Sequence, residues 1–108
     1  MTRHGQILRL KPERLREYKE YHANTWPEIL NAIKKHNIRK YSIYYKDGYL
    51  FACFEYFGND LKADMAKMIA SNPRVQKWQD IMMSMQEPLE TRAEGEWWAE
   101  MEEVFHTD

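Results

Sequence analysis

The sequence predicts an α+β domain in which helices cover one face of an antiparallel sheet. Stretches of alternating or β-favouring residues predict short strands, and apolar residues recurring at three- and four-residue steps predict amphipathic helices between them. A chain of 108 residues has enough apolar surface for one core and too little for two. We therefore expect a single domain spanning residues 1–108.

The first strand is predicted over residues 6–10, where polar and apolar residues alternate until Lys11-Pro12 ends the pattern. A helical pattern follows from Glu13. Its large residues share one helical face and are Leu15, Tyr18, His22, Trp26, Ile29 and Ile33.

Pro27 interrupts this helical pattern, because its ring removes a backbone donor and disfavours helical geometry at Trp26. We expect the helix to break just after His22. Asn24 or Thr25 is then expected to cap a restarted helix that has Pro27 in its first turn.

Two adjacent antiparallel strands are predicted over residues 41–45 and 49–57, which are rich in aromatic and β-favouring side chains. Between them lies Lys46-Asp47-Gly48, and an Asp-Gly pair in this position is a strong hairpin signal. The two strands therefore form a hairpin in the middle of the chain.

The second half of the chain returns to helical spacing from Leu61, and Ser71-Asn72-Pro73 predicts the cap and first turn of another helix. A polar loop is expected over residues 89–95 and a last strand over residues 102–105. The order strand, helix, strand, strand, helix, strand is the ferredoxin-like βαββαβ sandwich. Such a sheet leaves one face uncovered, which favours a homodimer.

Composition excludes several classes of partner and cofactor. The 16 Lys and Arg against 17 Asp and Glu give no basic field for nucleic acid. The single cysteine, Cys53, permits no internal disulfide and no cysteine zinc site, and the four histidines have no metal-ligand spacing. No signal peptide and no membrane-spanning run is present, so we expect a cytoplasmic protein without membrane contact.

Tyr18 and His22 are the first candidates for chemistry. They are four residues apart, so both side chains project from one helical face toward a common pocket. Imidazole gives and takes protons near neutral pH, and a neighbouring phenol can orient a hydroxyl. Packing alone also accounts for a histidine and a tyrosine on such a face, and the spacing does not decide between the two.

Four stretches in order add a resemblance that covers nearly the whole chain. They are Tyr18, the His-x-x-x-Trp-Pro-Glu run from His22, the Tyr-Ser-Ile-Tyr run from Tyr41, and the Val-Gln-Lys-Trp run that ends at Trp78. Together they resemble the L-rhamnose mutarotase family. The likeness extends from about Arg3 to Phe105.

The resemblance implies a dimeric α/β barrel of ferredoxin-like subunits that interconverts the anomers of a monosaccharide, a 6-deoxy sugar, without any cofactor. His22 matches the family's catalytic proton donor, and Tyr18 and Tyr41 match its sugar-binding tyrosines. Trp78 matches the first of two adjacent tryptophans in the sugar site. Gln79 replaces the second tryptophan. A primary amide makes hydrogen bonds to sugar hydroxyls, whereas an indole stacks on an apolar face of the sugar. We therefore expect Gln79 to bind substrate and to affect the choice between L-rhamnose and L-fucose.

Two other functions fit the same predicted scaffold. One is a cofactor-independent monooxygenase that holds a flat phenolic substrate between a histidine and aromatic side chains. The other is a non-catalytic sugar-binding module. Function depends on the site rather than the fold, so the scaffold alone does not separate these from a mutarotase.

Overall fold

The computed structural model describes residues 1–108 and shows a five-stranded antiparallel sheet with four helices against one face. The strands are β1 (Thr2–Leu10), β2 (Ile38–Lys46), β3 (Tyr49–Tyr56), β4 (Gln86–Glu87) and β5 (Ala99–Met101). The helices are α1 (Leu15–Ala23), α2 (Pro27–Lys35), α3 (Leu61–Ala70) and α4 (Pro73–Met85). The order confirms the predicted α+β, ferredoxin-like arrangement.

The sheet is organised around β1. β2 pairs with β3, β3 pairs with β1, and β1 pairs on its other side with both β4 and β5. The register places Leu8 opposite Leu50 and His4 opposite Phe54. These residues share the inner face of the sheet, where Leu8 and Leu50 join the main core with residues from α1, α2 and α4.

The opposite, outer face of the sheet has no helix against it. Side chains alternate between the two faces of a strand, so the register gives this face the neighbouring residues Ile7, Phe51 and Tyr44. Cys53, which is exposed, lies on the same face next to Gly5.

The last strand was predicted in the wrong place. Residues 102–105 form no strand and are exposed, whereas β5 ends at Met101. The β-favouring pair Val104 and Phe105 meets no neighbour against which to pack, and strand preference depends on such packing. The predicted loop over residues 89–95 is confirmed, and it joins β4 to β5. The first strand is longer than predicted, beginning at Thr2.

The predicted break between α1 and α2 is confirmed, but the predicted cap is wrong. Trp26 is the residue that precedes α2, in the extended conformation expected before proline. Asn24 instead donates from Nδ2 to the carbonyl of Glu20 at 3.1 Å, and Thr25 donates from Oγ1 to the carbonyl of His22 at 2.8 Å. Both side chains satisfy carbonyls in the last turn of α1, which would otherwise lack partners.

Two local predictions match the structure closely. Asp47 and Gly48 both have positive φ, at 52° and 87°, as a tight hairpin turn of the predicted kind requires. Asn72 caps α4 by accepting from the backbone N–H of Arg74 at 2.8 Å, with Pro73 in the first turn. The cap fixes the start of the helix that carries Trp78.

Candidate active site

A cavity of about 500 Å³ opens between α1, α2 and the inner side of β2. Its wall includes Tyr18 and His22 from α1, Tyr41 from β2 and Trp78 from α4. Four of the five predicted site residues therefore meet in one pocket. The rest of the lining includes the aliphatic residues Leu15, Ile29, Leu30, Ile33, Ile38, Ile43 and Leu50, together with several lysine and arginine side chains.

Gln79 is the predicted site residue that does not line this cavity. It is half-buried and follows Trp78 on α4, so it projects about 100° around the helix from the indole. Its effect on the choice of sugar stays a prediction.

His22 lies in the last turn of α1 with its ring tied to the helix. The Nδ1 atom is 2.7 Å from the carbonyl oxygen of Tyr18. A carbonyl oxygen only accepts, so Nδ1 carries the hydrogen and the neutral ring has its lone pair on Nε2. Desolvation by burial lowers the pKa of His22, and the hydrogen bond to Tyr18 opposes this in part. At neutral pH the side chain is therefore an uncharged base.

Aromatic rings hold the imidazole from two sides. The Tyr18 ring centroid is 4.3 Å from that of His22, and the Trp78 ring meets His22 edge to face at 5.5 Å. Trp26 packs edge to face on Trp78 at 5.1 Å, and the Arg74 guanidinium lies over Trp26 at 3.9 Å. These contacts limit the movement of the imidazole and the indole within the wall.

The Tyr18 hydroxyl is held by a buried chain of hydrogen bonds. Gln86 donates from Nε2 to this hydroxyl at 3.1 Å, and its Oε1 accepts from Trp97 Nε1 at 2.9 Å. Burial raises the pKa of Tyr18 to about 12 and outweighs the opposing effect of Gln86. Because Gln86 donates, the hydroxyl keeps its own proton for a ligand.

Nothing in the sequence indicated that Gln86 bonds Tyr18 and Trp97. Gln86 is the one polar residue among the buried residues of the chain. It follows the apolar end of α4, and the residues around it in the sequence do not indicate which side chains it contacts. Tyr18 is 68 positions away from it along the chain.

Tyr41 reaches the pocket from β2. Its ring stacks on Phe54 with centroids 5.4 Å apart and an interplanar angle of 18°. Burial raises the pKa of Tyr41, with smaller effects from Tyr18 and Cys53. Its hydroxyl makes no hydrogen bond to the protein, so it is free to bind a ligand hydroxyl.

The structure also bears on metal binding and on membrane spanning. No group of three or more His, Cys, Asp and Glu side chains is placed to hold a metal ion. Each of the four helices is too short or too polar to cross a bilayer.

The fold and pocket first define a class: a ferredoxin-like domain with an imidazole, two phenols and an indole around one ligand-sized cavity. A sequence profile described as L-rhamnose mutarotase matches residues 3–107. The chain belongs to the L-rhamnose mutarotase family, as the resemblance predicted. It is therefore an enzyme of the isomerase type that interconverts sugar anomers.

Individual proteins show the same relationship. An L-rhamnose mutarotase from Phocaeicola vulgatus is 36% identical over 110 residues, which cover 100% of both chains. A UPF0734 protein from Dictyostelium discoideum is 32% identical over 100 residues, covering 89% of this chain and 80% of that protein. The crystal structure of an L-rhamnose mutarotase from Formosa agariphila has a TM-score of 0.75 at 25% identity, with 100% of both chains covered.

The burial of His22 predicts a titration midpoint below 6.5, the usual value for histidine. The unfolded chain then binds a proton more readily than the folded one. The free energy of unfolding should therefore fall as pH drops from 6.5 to the folded pKa, and level off below it. An NMR titration of the imidazole carbons, with His22→Ala to assign the resonance, measures this midpoint. A midpoint at or above 6.5 contradicts the burial argument.

Proposed function

We propose that the protein interconverts the α and β anomers of L-rhamnose and related 6-deoxy sugars by acid–base opening of the pyranose ring. The observation that carries the proposal is the pair formed by His22 and Tyr18 in one pocket wall. His22 offers a neutral acceptor at Nε2, and Tyr18 keeps a hydroxyl proton. Membership of the L-rhamnose mutarotase family supports the same reaction.

Ring opening needs one proton removed and another delivered. Nε2 of His22 takes the proton of the anomeric hydroxyl, the bond between C1 and the ring oxygen breaks, and the ring oxygen takes the Tyr18 proton. The product is the open-chain aldehyde. After rotation about the C1–C2 bond, the ring oxygen attacks the other carbonyl face and both protons return. In this second step His22 is the proton donor, the role that the resemblance implied.

The rest of the wall supports a deoxy sugar as ligand. An indole such as Trp78 stacks on the C–H face of a pyranose, and the free hydroxyl of Tyr41 bonds a sugar hydroxyl. The aliphatic residues Ile29, Ile33 and Ile43 line the same cavity, and their apolar surface suits a sugar that lacks one hydroxyl group. No step of this reaction requires a cofactor.

We expect His22→Ala to lower the rate of anomer exchange by about 10²- to 10⁴-fold, the usual contribution of a positioned acid–base residue. His36→Ala is the matched control, because His36 makes the same hydrogen bond, from Nδ1 to the carbonyl of Ala32 at 2.8 Å, but lies outside the pocket. Saturation-transfer NMR on L-rhamnose measures the exchange. Equal rates for the two variants would remove His22 from the mechanism.

The rate of anomer exchange also separates the mutarotase from the two rival functions. A monooxygenase would consume oxygen and give a coloured quinone while leaving anomer exchange at the buffer rate. A binding module would be stabilised by sugar without accelerating exchange.

Gln79 is proposed to influence the choice between L-rhamnose and L-fucose. Gln79 does not line the cavity but is adjacent to Trp78 on α4. We expect it to act on the sugar by affecting the position of the Trp78 indole. Gln79→Trp should change the ratio of exchange rates on L-rhamnose and L-fucose. Gln76→Trp, an exposed position on the same helix, serves as control. An unchanged ratio in Gln79→Trp would show that Gln79 is not the discriminator.

We further propose a homodimer that covers the outer face of the sheet. Tyr44, Tyr49 and Met101 lie on this face and are 63%, 38% and 38% exposed. Monomeric proteins rarely leave a contiguous apolar surface open on a sheet.

Light scattering should give twice the chain mass of 13.2 kDa. Tyr49→Glu should convert this species to monomer, because it places a charge in the proposed interface. Lys67→Glu on α3 should not. A wild-type mass of one chain would overturn the dimer.

A cytoplasmic location is proposed from the state of the one thiol. Cys53 is the one cysteine of the chain and is free. Unpaired thiols are typical of reducing compartments, in which disulfides do not persist.

A further inference from the structure

The cavity wall has an unusual balance of charge. Its 18 lining residues include four cations, Lys19, Lys34, Arg39 and Lys40, and no Asp or Glu. The whole chain carries 16 Lys and Arg against 17 Asp and Glu. The excess of positive charge is therefore a property of this pocket and not of the protein. We call these four side chains the cationic rim, since all four are exposed whereas most of the other lining residues are buried or half-buried.

Most of the rim is not neutralised within the chain. Lys40 lies 3.8 Å from Glu55. Lys19 and Lys34 take part in no ion pair. Arg39 donates from Nη1 to the carbonyls of Lys34 and Ile38, at 2.8 and 2.9 Å. These bonds hold the guanidinium at the end of α2 while leaving its charge uncompensated.

The helix positions around Lys19 and Lys34 also lack acids. Leu15, Arg16, His22 and Ala23 are three or four residues from Lys19, and Leu30, Asn31, Asn37 and Ile38 are three or four residues from Lys34. A solvated helix surface usually pairs such lysines with acidic neighbours at these spacings. Their absence leaves two positive charges without acidic partners in the lining of one cavity.

The size of the cavity agrees with a ligand larger than a deoxy pyranose. About 500 Å³ lies within the range of roughly 300–1,000 Å³ found for drug-sized ligands. The cavity therefore has room for a pyranose ring and for a substituent on that ring.

We propose that the substrates of this site include sugars with a free anomeric centre and an anionic substituent, either a carboxylate or a phosphate ester. The inference rests on the proposed function, because the acid–base residues act on the anomeric end while the cationic rim binds the anion. The charge accelerates capture, since a cleft lined by one sign of charge raises the local concentration of its counter-ion. Added salt weakens this effect because the rim is exposed.

The test uses four sugars with the same ring stereochemistry. L-rhamnose carries a methyl group at C5, L-mannose a neutral hydroxymethyl, L-mannuronate a carboxylate and L-mannose 6-phosphate a phosphate ester. Saturation-transfer NMR gives kcat/KM for anomer exchange on each at low and high salt. We expect at least one anionic sugar to exceed L-mannose by about tenfold at low salt, at the lower end of reported steering effects. High salt should remove most of this preference. The carboxylate and phosphate arms identify which anion is preferred.

Charge removal assigns the preference to the rim. The double variant Lys19→Gln, Lys34→Gln should lower the ratio of kcat/KM on the anionic sugar to kcat/KM on L-mannose by at least about threefold. The control double variant Lys62→Gln, Lys67→Gln removes the same charge from α3 and should leave this ratio unchanged.

The outcomes separate this inference from the proposed function. Acceleration on L-rhamnose with no anionic sugar better than L-mannose would overturn the anion inference alone. No acceleration on any of the four sugars would overturn both. If the rim variant became monomeric with an unchanged ratio, the rim would belong to a contact with a second copy, and the anion inference would again fail.

Discussion

The Gln86 amide lies between the Trp97 indole and the Tyr18 phenol. Its orientation is fixed because the indole N–H of Trp97 can only donate a hydrogen bond. The amide oxygen must face Trp97, so the amide nitrogen faces Tyr18. Reversing it would leave buried donors facing one another, and each unsatisfied group costs about 1–3 kcal/mol. One side chain thereby links β4, the segment before β5 and α1. Because Gln86 donates to the Tyr18 hydroxyl, the proton of that hydroxyl is not used in this contact.

The pocket brings together groups that burial affects in opposite ways. Burial lowers the pKa of His22 and raises those of Tyr18 and Tyr41, because in each case it disfavours the charged form. All three are therefore neutral at pH 7, with one base and two potential acids in a single wall. The break before Pro27 ends α1 one residue after His22, so the imidazole lies in the last turn of the helix, where it lines the cavity.

Features encoded by neighbouring residues were predictable from the sequence. Spacing on a single helix brings Tyr18 and His22 together, Pro27 predicts the break, and Asp47-Gly48 predicts the hairpin. The contacts of Gln86 and the cationic rim join distant segments, and a local pattern contains no information about them. The last strand was misplaced for a related reason. Residues 102–105 have strand preference, but they are exposed and lack the packing neighbours on which that preference depends.

The final strand is divided into β4 and β5, and each piece pairs independently with β1. Gln86 lies in the first piece and Trp97 just before the second, so the stretch between them, residues 88–96, is anchored at both ends. Backbone hydrogen bonds inside it are local, such as Arg92 to Leu89 and Glu96 to Ala93. Insertions or deletions there can accumulate during evolution without moving either partner of the buried amide. This surface can therefore diversify while the interior that it borders stays the same.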